Sequence, residues 1–207
     1  MPTDKKNKSV LEVDTEFLDD ISGLIQEKSD AALKNILADL YDFDIAVIVD
    51  NLSEEDDAFY LFSLLDDETA GEVLLEINDD IREYITEKLG GQKLSDIVSE
   101  MYSEDAPGIV ADLYTDKKEE VLGDLGWHDR EDYHEVKELL SYDENTAGGI
   151  MGKEYIAVLE NKTVGEAIRD IQEKAEDVDQ LYNVWVVDDN NVLKGIISLK
   201  RFIIALK

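Results

Sequence analysis

The sequence predicts a mainly α protein, a superhelix of short stacked helices that gives way near residue 150 to a small α/β unit. Three features predict it. Leu40, Leu52, Leu65, Ile77, Leu89, Met101, Leu113 and Leu125 recur every 12 or 13 residues, too closely for long helices to fit between them. Good N-caps follow them at Asp42, Ser53, Asp66, Asn78, Ser103 and Thr115, and acids such as Glu54, Asp67, Asp79, Glu104 and Asp116 come next. Acids there favour the positive end of a helix dipole. After Met151 the helical period ends, and apolar runs of strand length alternate with one amphipathic helix.

In chain order, Met1 to Lys8, with Lys5, Lys6 and Lys8, reads as a disordered tail. Asp14 can cap a helix whose apolar face is Phe17, Leu18, Ile21, Leu24 and Ile25. Ser29 or Asp30 caps a second, with Leu33, Ile36, Leu37 and Leu40 on one face. From Leu40 each repeat is one helix of about eight residues plus a turn. Such a helix is about 12 Å long and unstable alone in water, so it must stack on its neighbours. Gly90-Gly91-Gln92, a tripeptide also used in peptide release, falls at a repeat boundary, where glycine ends one helix and frees the chain for the next. Pro107 suits the first turn of a helix. Gly126-Trp127-His128 closes the repeats, and a helix with Tyr133, Val136, Leu139 and Leu140 inward leads to a turn at Gly148-Gly149, where positive φ is expected.

The remainder reads β-α-β-β-α. Tyr155 to Val158 is a strand, and Thr163-Val-Gly-Glu166 is a capping box opening a helix with Ala167, Ile168 and Ile171 inward. Val184–Val187 and Leu193–Ile197 are two strands around the turn Asp188-Asp-Asn-Asn191, and Ser198 can cap a last helix through Phe202, Ile203 and Ile204. The boundaries are thus a tail over 1–8, an acidic helical domain over 9–130, a connecting helix and turn over 131–149, and the α/β unit over 150–207.

Composition narrows the function. The 207 residues carry a net charge of −31 with 43% hydrophobic content, ordinary for a globular chain. Residues 1–150 hold 12 basic and 41 acidic side chains, net −29, against net −2 for the rest. Such a surface repels nucleic acid and anionic lipid and attracts cations or basic partners. The absence of Cys excludes disulfides and thiolate metal sites. No apolar run resembles a signal peptide or spans a bilayer. His128 and His134 sit in no nucleophile or metal-ligand pattern, acid pairs are too abundant to mark a hydrolase, and Gly148-Gly149 lacks the Lys-Ser/Thr of a phosphate loop. The chain reads as a non-enzyme.

Leu139-Leu-Ser-Tyr-Asp-Glu-Asn-Thr-Ala-Gly-Gly-Ile-Met151 and Lys153-Glu-Tyr-Ile-Ala-Val158 resemble the segment joining the acidic cytosolic domain of MgtE-type magnesium transporters to their first CBS motif. Asp42-Phe-Asp-Ile-Ala46, Ala70-Gly-Glu-Val-Leu74 and Met101-Tyr-Ser-Glu-Asp-Ala106 resemble phrases of the helical domain. The resemblance implies a right-handed superhelix of short stacked helices followed by a first CBS motif. A second CBS motif and a membrane domain would lie outside these residues. It further implies a homodimeric full-length transporter, with this part at the cytoplasmic face of the membrane. There Mg2+ would bridge acids of the helical domain to acids of the CBS region and favour a compact closed state. By motif position Glu72 and Glu104, with Asp105 adjacent, match the bridging acids, while Gly108 stands where the family pattern has another acid. Gly195-Ile-Ile-Ser-Leu-Lys-Arg201 ends in Arg where nucleotide-binding CBS motifs carry an Asp for the ribose. Arg only donates and cannot accept a ribose hydroxyl. Two other functions remain open, an acidic solenoid scaffold for a basic protein and a CBS-type nucleotide sensor.

Overall fold

A computed structural model describes residues 13–128, 130–143, 145–175, 178 and 181–205; the tail expected over Met1 to Lys8 lies outside them. The chain divides into two units, Met1–Ile150 and Met151–Lys207.

The first unit is a stack of short helices: α1 (Thr15–Gln26), α2 (Asp30–Leu37), α3 (Asp42–Asn51), α4 (Glu55–Phe62), α5 (Asp67–Glu76), α6 (Asp79–Lys88), α7 (Gly91–Ser99), α8 (Ala106–Asp112), α9 (Thr115–His128) and α10 (Arg130–Leu139). The dozen-residue leucines sit where expected up to Leu113. Leu52, Ile77, Leu89 and Leu113 are each the residue at which a helix ends and the backbone turns extended. Their side chains join one continuous core with Leu61, Leu74, Ile85, Leu94 and Ile97 from the helix interiors.

The structural repeat, however, is a pair of helices. The odd-numbered helices α3, α5, α7 and α9 pack side by side in one layer, while α4 packs on α6 and α8 on α10 in a second. From α3 onward most helices therefore meet the one two places along, as α3 meets α5, α4 meets α6, α5 meets α7 and α7 meets α9.

Polar bridges across this double period hold successive repeats in register. The Tyr60 hydroxyl donates to Asp30, the Tyr84 hydroxyl to Asp56 over 2.8 Å and the Tyr114 hydroxyl to Glu83. The Asn78 amide donates to Asp50 over 3.0 Å, and the Lys117 ammonium to the Leu89 carbonyl over 2.7 Å. Lys88 pairs with Asp56 and lies over the Phe59 and Tyr84 rings. A share of the acidic excess thus serves as acceptors between repeats.

Several local expectations are corrected. Of the N-caps read from the repeats, Asp66 acts as one, accepting from the Thr69 amide over 2.9 Å. Asp42 and Thr115 are instead the first helical residues of α3 and α9, Glu54 rather than Ser53 precedes α4, and Asn78 makes no side-chain cap bond. Amides of a first turn left open at the surface can be served by water in place of a cap. Ser29 precedes α2 without a side-chain cap bond, whereas Asp14 caps α1 by accepting from the Phe17 amide over 2.9 Å.

The repeat fails at its last boundary. Leu125 is buried inside α9, which runs on through Gly126 and Trp127 to His128. Gly126 is used for packing, with the Tyr133 ring of α10 within 3.3 Å of where a Cβ would stand. Val136 places α10 in the core of this unit.

No glycine among the described residues has positive φ, so Gly148-Gly149 does not turn the chain that way. At Gly148 a Cβ would stand 2.5 Å from the Tyr142 ring, so close approach is what requires the missing side chain. Gly91 is alike: a Cβ would lie 2.2 Å from Glu120 Cγ, and its amide donates to Glu120 Oε1 over 3.1 Å. Pro107 lies in the first turn of α8 as expected.

The second unit runs β1 (Ala157–Leu159), α11 (Val164–Lys174), β2 (Asn183–Val187), β3 (Leu193–Ser198) and α12 (Leu199–Ala205). β1 is parallel to β2, which pairs antiparallel with β3. The Thr163–Glu166 capping box forms, with the Glu166 amide bonded to Thr163 Oγ1 and the Thr163 amide to Glu166 Oε2. Ile156, Val158, Ala167, Ile171, Val184 and Phe202 make a small core on the helical side of the sheet. Trp185 and Ile196, opposite each other on β2 and β3, remain exposed, as do Leu193 and, on α12, Ile203 and Ile204. Ser198 ends β3 and directly precedes α12, the position the sequence expects of its cap.

Candidate functional site

Glu72 lies on α5, whose inward face is Ala70, Gly71, Val73 and Leu74. Its position next to that face leaves it half-buried. Glu68 and Glu76 sit one turn away on either side. Burial pushes the Glu72 carboxyl above its usual range, and the charges of Asp42, Asp105, Glu68 and Glu76 push it further. Asp42 opens α3, the helix packed beside α5, and Asp105 ends the turn before α8.

Gly71 explains how α5 reaches that turn. A Cβ there would lie 2.9 Å from Met101 Cγ, with the Ile97 carbonyl and methyl also close. The glycine lets α5 press against the end of α7 and against Met101, which leads into the turn carrying Ser103, Glu104 and Asp105.

Of the acids picked out in the sequence, the structure thus brings Glu72 and Asp105 within electrostatic reach. Glu104 is exposed in the same turn and is not among the charges that shift Glu72. Asp42 is the addition. It opens the phrase Asp42-Phe-Asp-Ile-Ala46, but only the packing of α3 on α5 makes it a neighbour of Glu72. At Gly108, on exposed α8 surface, a Cβ would meet nothing within 4 Å. What that position lacks is a carboxylate, not room for one.

The donor set suits a hard cation. Magnesium takes oxygen ligands, accepts one or two carboxylates directly and keeps several waters. Among the described residues no group of three or more His, Asp or Glu is gathered tightly enough to hold a metal ion. In the second unit, Gly195 to Ser198 lie on β3, and Arg201 is exposed on α12.

Fold and patch together define a class: an acidic stack of paired helices followed by a βαββα unit, with crowded carboxylates on the helical part. Comparison with known proteins identifies it. The MgtE intracellular N domain family model matches residues 40–145 and the CBS domain model residues 147–207. The chain belongs to the MgtE family.

It is 44% identical over 71 residues to the magnesium transporter MgtE of Thermus thermophilus, covering 34% of this chain and 16% of that protein. To MgtE of Bacillus subtilis it is 24% identical over 172 residues, covering 83% of this chain and 37% of the relative. The chain thus spans well under half the length of these curated relatives. Among solved structures, the soluble part of a magnesium transporter superposes with a TM-score of 0.74 at 25% identity, covering 91% of this chain and 73% of that one. The cytosolic domain of the Mg2+ channel MgtE in complex with ATP gives 0.72 at 26% identity, covering 90% and 75%. Among the described residues no helix is long and apolar enough to cross a membrane.

Proposed function

We propose that this chain is the cytosolic magnesium-sensing part of a magnesium transporter and performs no catalysis. Glu72, Glu104 and Asp105, joined by Asp42, would supply one side of cation sites completed by acids of the CBS region and by the membrane domain. The observation that carries the proposal is the half-buried Glu72 carboxyl, held above its usual range by burial and by the facing charges of Asp42 and Asp105. A carboxylate in that position is stabilised by a cation, and bound Mg2+ would supply the positive charge. Without it, acids on two approaching surfaces repel, so the helical domain swings away when magnesium is scarce. One site at tenfold excess over its Kd contributes only about 1.4 kcal/mol, whereas inverting a two-state population takes about 5.5 kcal/mol. Several sites must act together, and the response in the full-length homodimer is steep.

The second CBS motif of the full-length protein is the natural partner of the second unit, whose exposed Trp185, Leu193 and Ile196 form an apolar surface. Solution scattering of the chain extended through that motif, with and without millimolar magnesium, tests the proposal. Magnesium should compact the protein, and the double variant Glu72→Gln with Asp105→Asn should respond far less. An unchanged response would remove these residues from the mechanism.

Nucleotide sensing has one observation in its favour, the related structure solved with ATP. In this chain Arg201 stands where an acid would accept the ribose hydroxyls, and we expect no adenosine nucleotide binding at physiological concentration by the 207 residues alone. Saturable ATP binding in a calorimetric titration, lost in Gly195→Val, would overturn that expectation. An acidic scaffold for a basic partner predicts binding insensitive to magnesium, which the same scattering series with a basic partner present would reveal.

A further inference from the structure

We draw no further inference here: the strongest candidate, the cleft of about 260 Å3 between α6 and α8 lined by Asp79, Arg82, Glu83, Glu87, Asp112 and Tyr114, is a cluster of acidic side chains whose own Arg82 already pairs with Asp79, and nothing else among the described residues points to a ligand for it.

Discussion

Gly71 couples the fold to the acidic patch around Glu72, and substitution there separates the two contributions a glycine makes inside a helix. Replacing an interior helical glycine by alanine gains about 0.5–1 kcal/mol through the backbone. Against this stands the new methyl, 2.9 Å from Met101 Cγ. Overpacking costs about 1–3 kcal/mol, and a flexible methionine side chain yields at the low end of that range. The two effects nearly cancel, so Gly71→Ala should lie within about 0.5 kcal/mol of the parent. Gly71→Val forfeits most of the backbone gain through its β-branch and adds two methyls beside the Ile97 carbonyl and Cγ2, already 3.8 and 3.9 Å from the Cβ position. It should lose about 2–3 kcal/mol.

Urea unfolding followed by far-ultraviolet circular dichroism measures both. The midpoint should fall for the valine variant with little change in slope. Because the same substitution pushes the Met101–Asp105 segment off α5, the Glu72 carboxyl of Gly71→Val should also titrate closer to an ordinary glutamate, as read by side-chain carboxyl NMR. A valine variant as stable as the parent, with Glu72 unmoved, would refute the claim that Gly71 sets the approach of α5 to that turn.

The raised Glu72 pKa has a definite sign. An acid that holds its proton more tightly when folded costs stability as the pH rises past the unfolded glutamate value of about 4.3, and the deficit is complete above the folded value. Glu72→Gln should therefore match the parent near pH 4 and become the more stable of the two towards neutrality, without magnesium. Urea midpoints across that range check it, and a glutamine variant less stable at neutral pH would show that the carboxylate is compensated. Leu61, fully buried between the layers on α4, should cost about 3–5 kcal/mol on truncation to alanine. Leu52, at the edge of the core and 9% exposed, should cost less. Equal losses at the two positions in chemical unfolding would argue that the boundary leucines and the helix interiors form one uniform core.

What could be read in advance follows from what each signal depends on. Recurrent leucines and the Thr163–Glu166 box report local periodicity and local hydrogen bonding, and both survive folding almost unchanged. The doubled repeat does not show in the spacing, because all boundary positions look alike when only every twelfth residue is counted. What separates the two layers is which residues bond across about 28 positions, as Tyr84 does to Asp56 and Lys117 to the Leu89 carbonyl. Leu125 keeps the period yet sits mid-helix, since nothing in α9 interrupts the backbone before His128. Glycines are legible as special positions, and Gly90-Gly91 marks a helix boundary as expected, but what Gly148 is needed for is not legible. Gly148 excludes a side chain because Tyr142 lies against it, which is a contact and not a torsion. For the same reason Glu72 and Asp105 could be named from a resemblance, but Asp42 could not. Its place beside Glu72 exists only once α3 lies along α5, and a chain with 51 acids offers no pairwise signal to single it out. Shape brings these carboxylates together while their charges oppose it, and the proposed role of magnesium rests on that conflict.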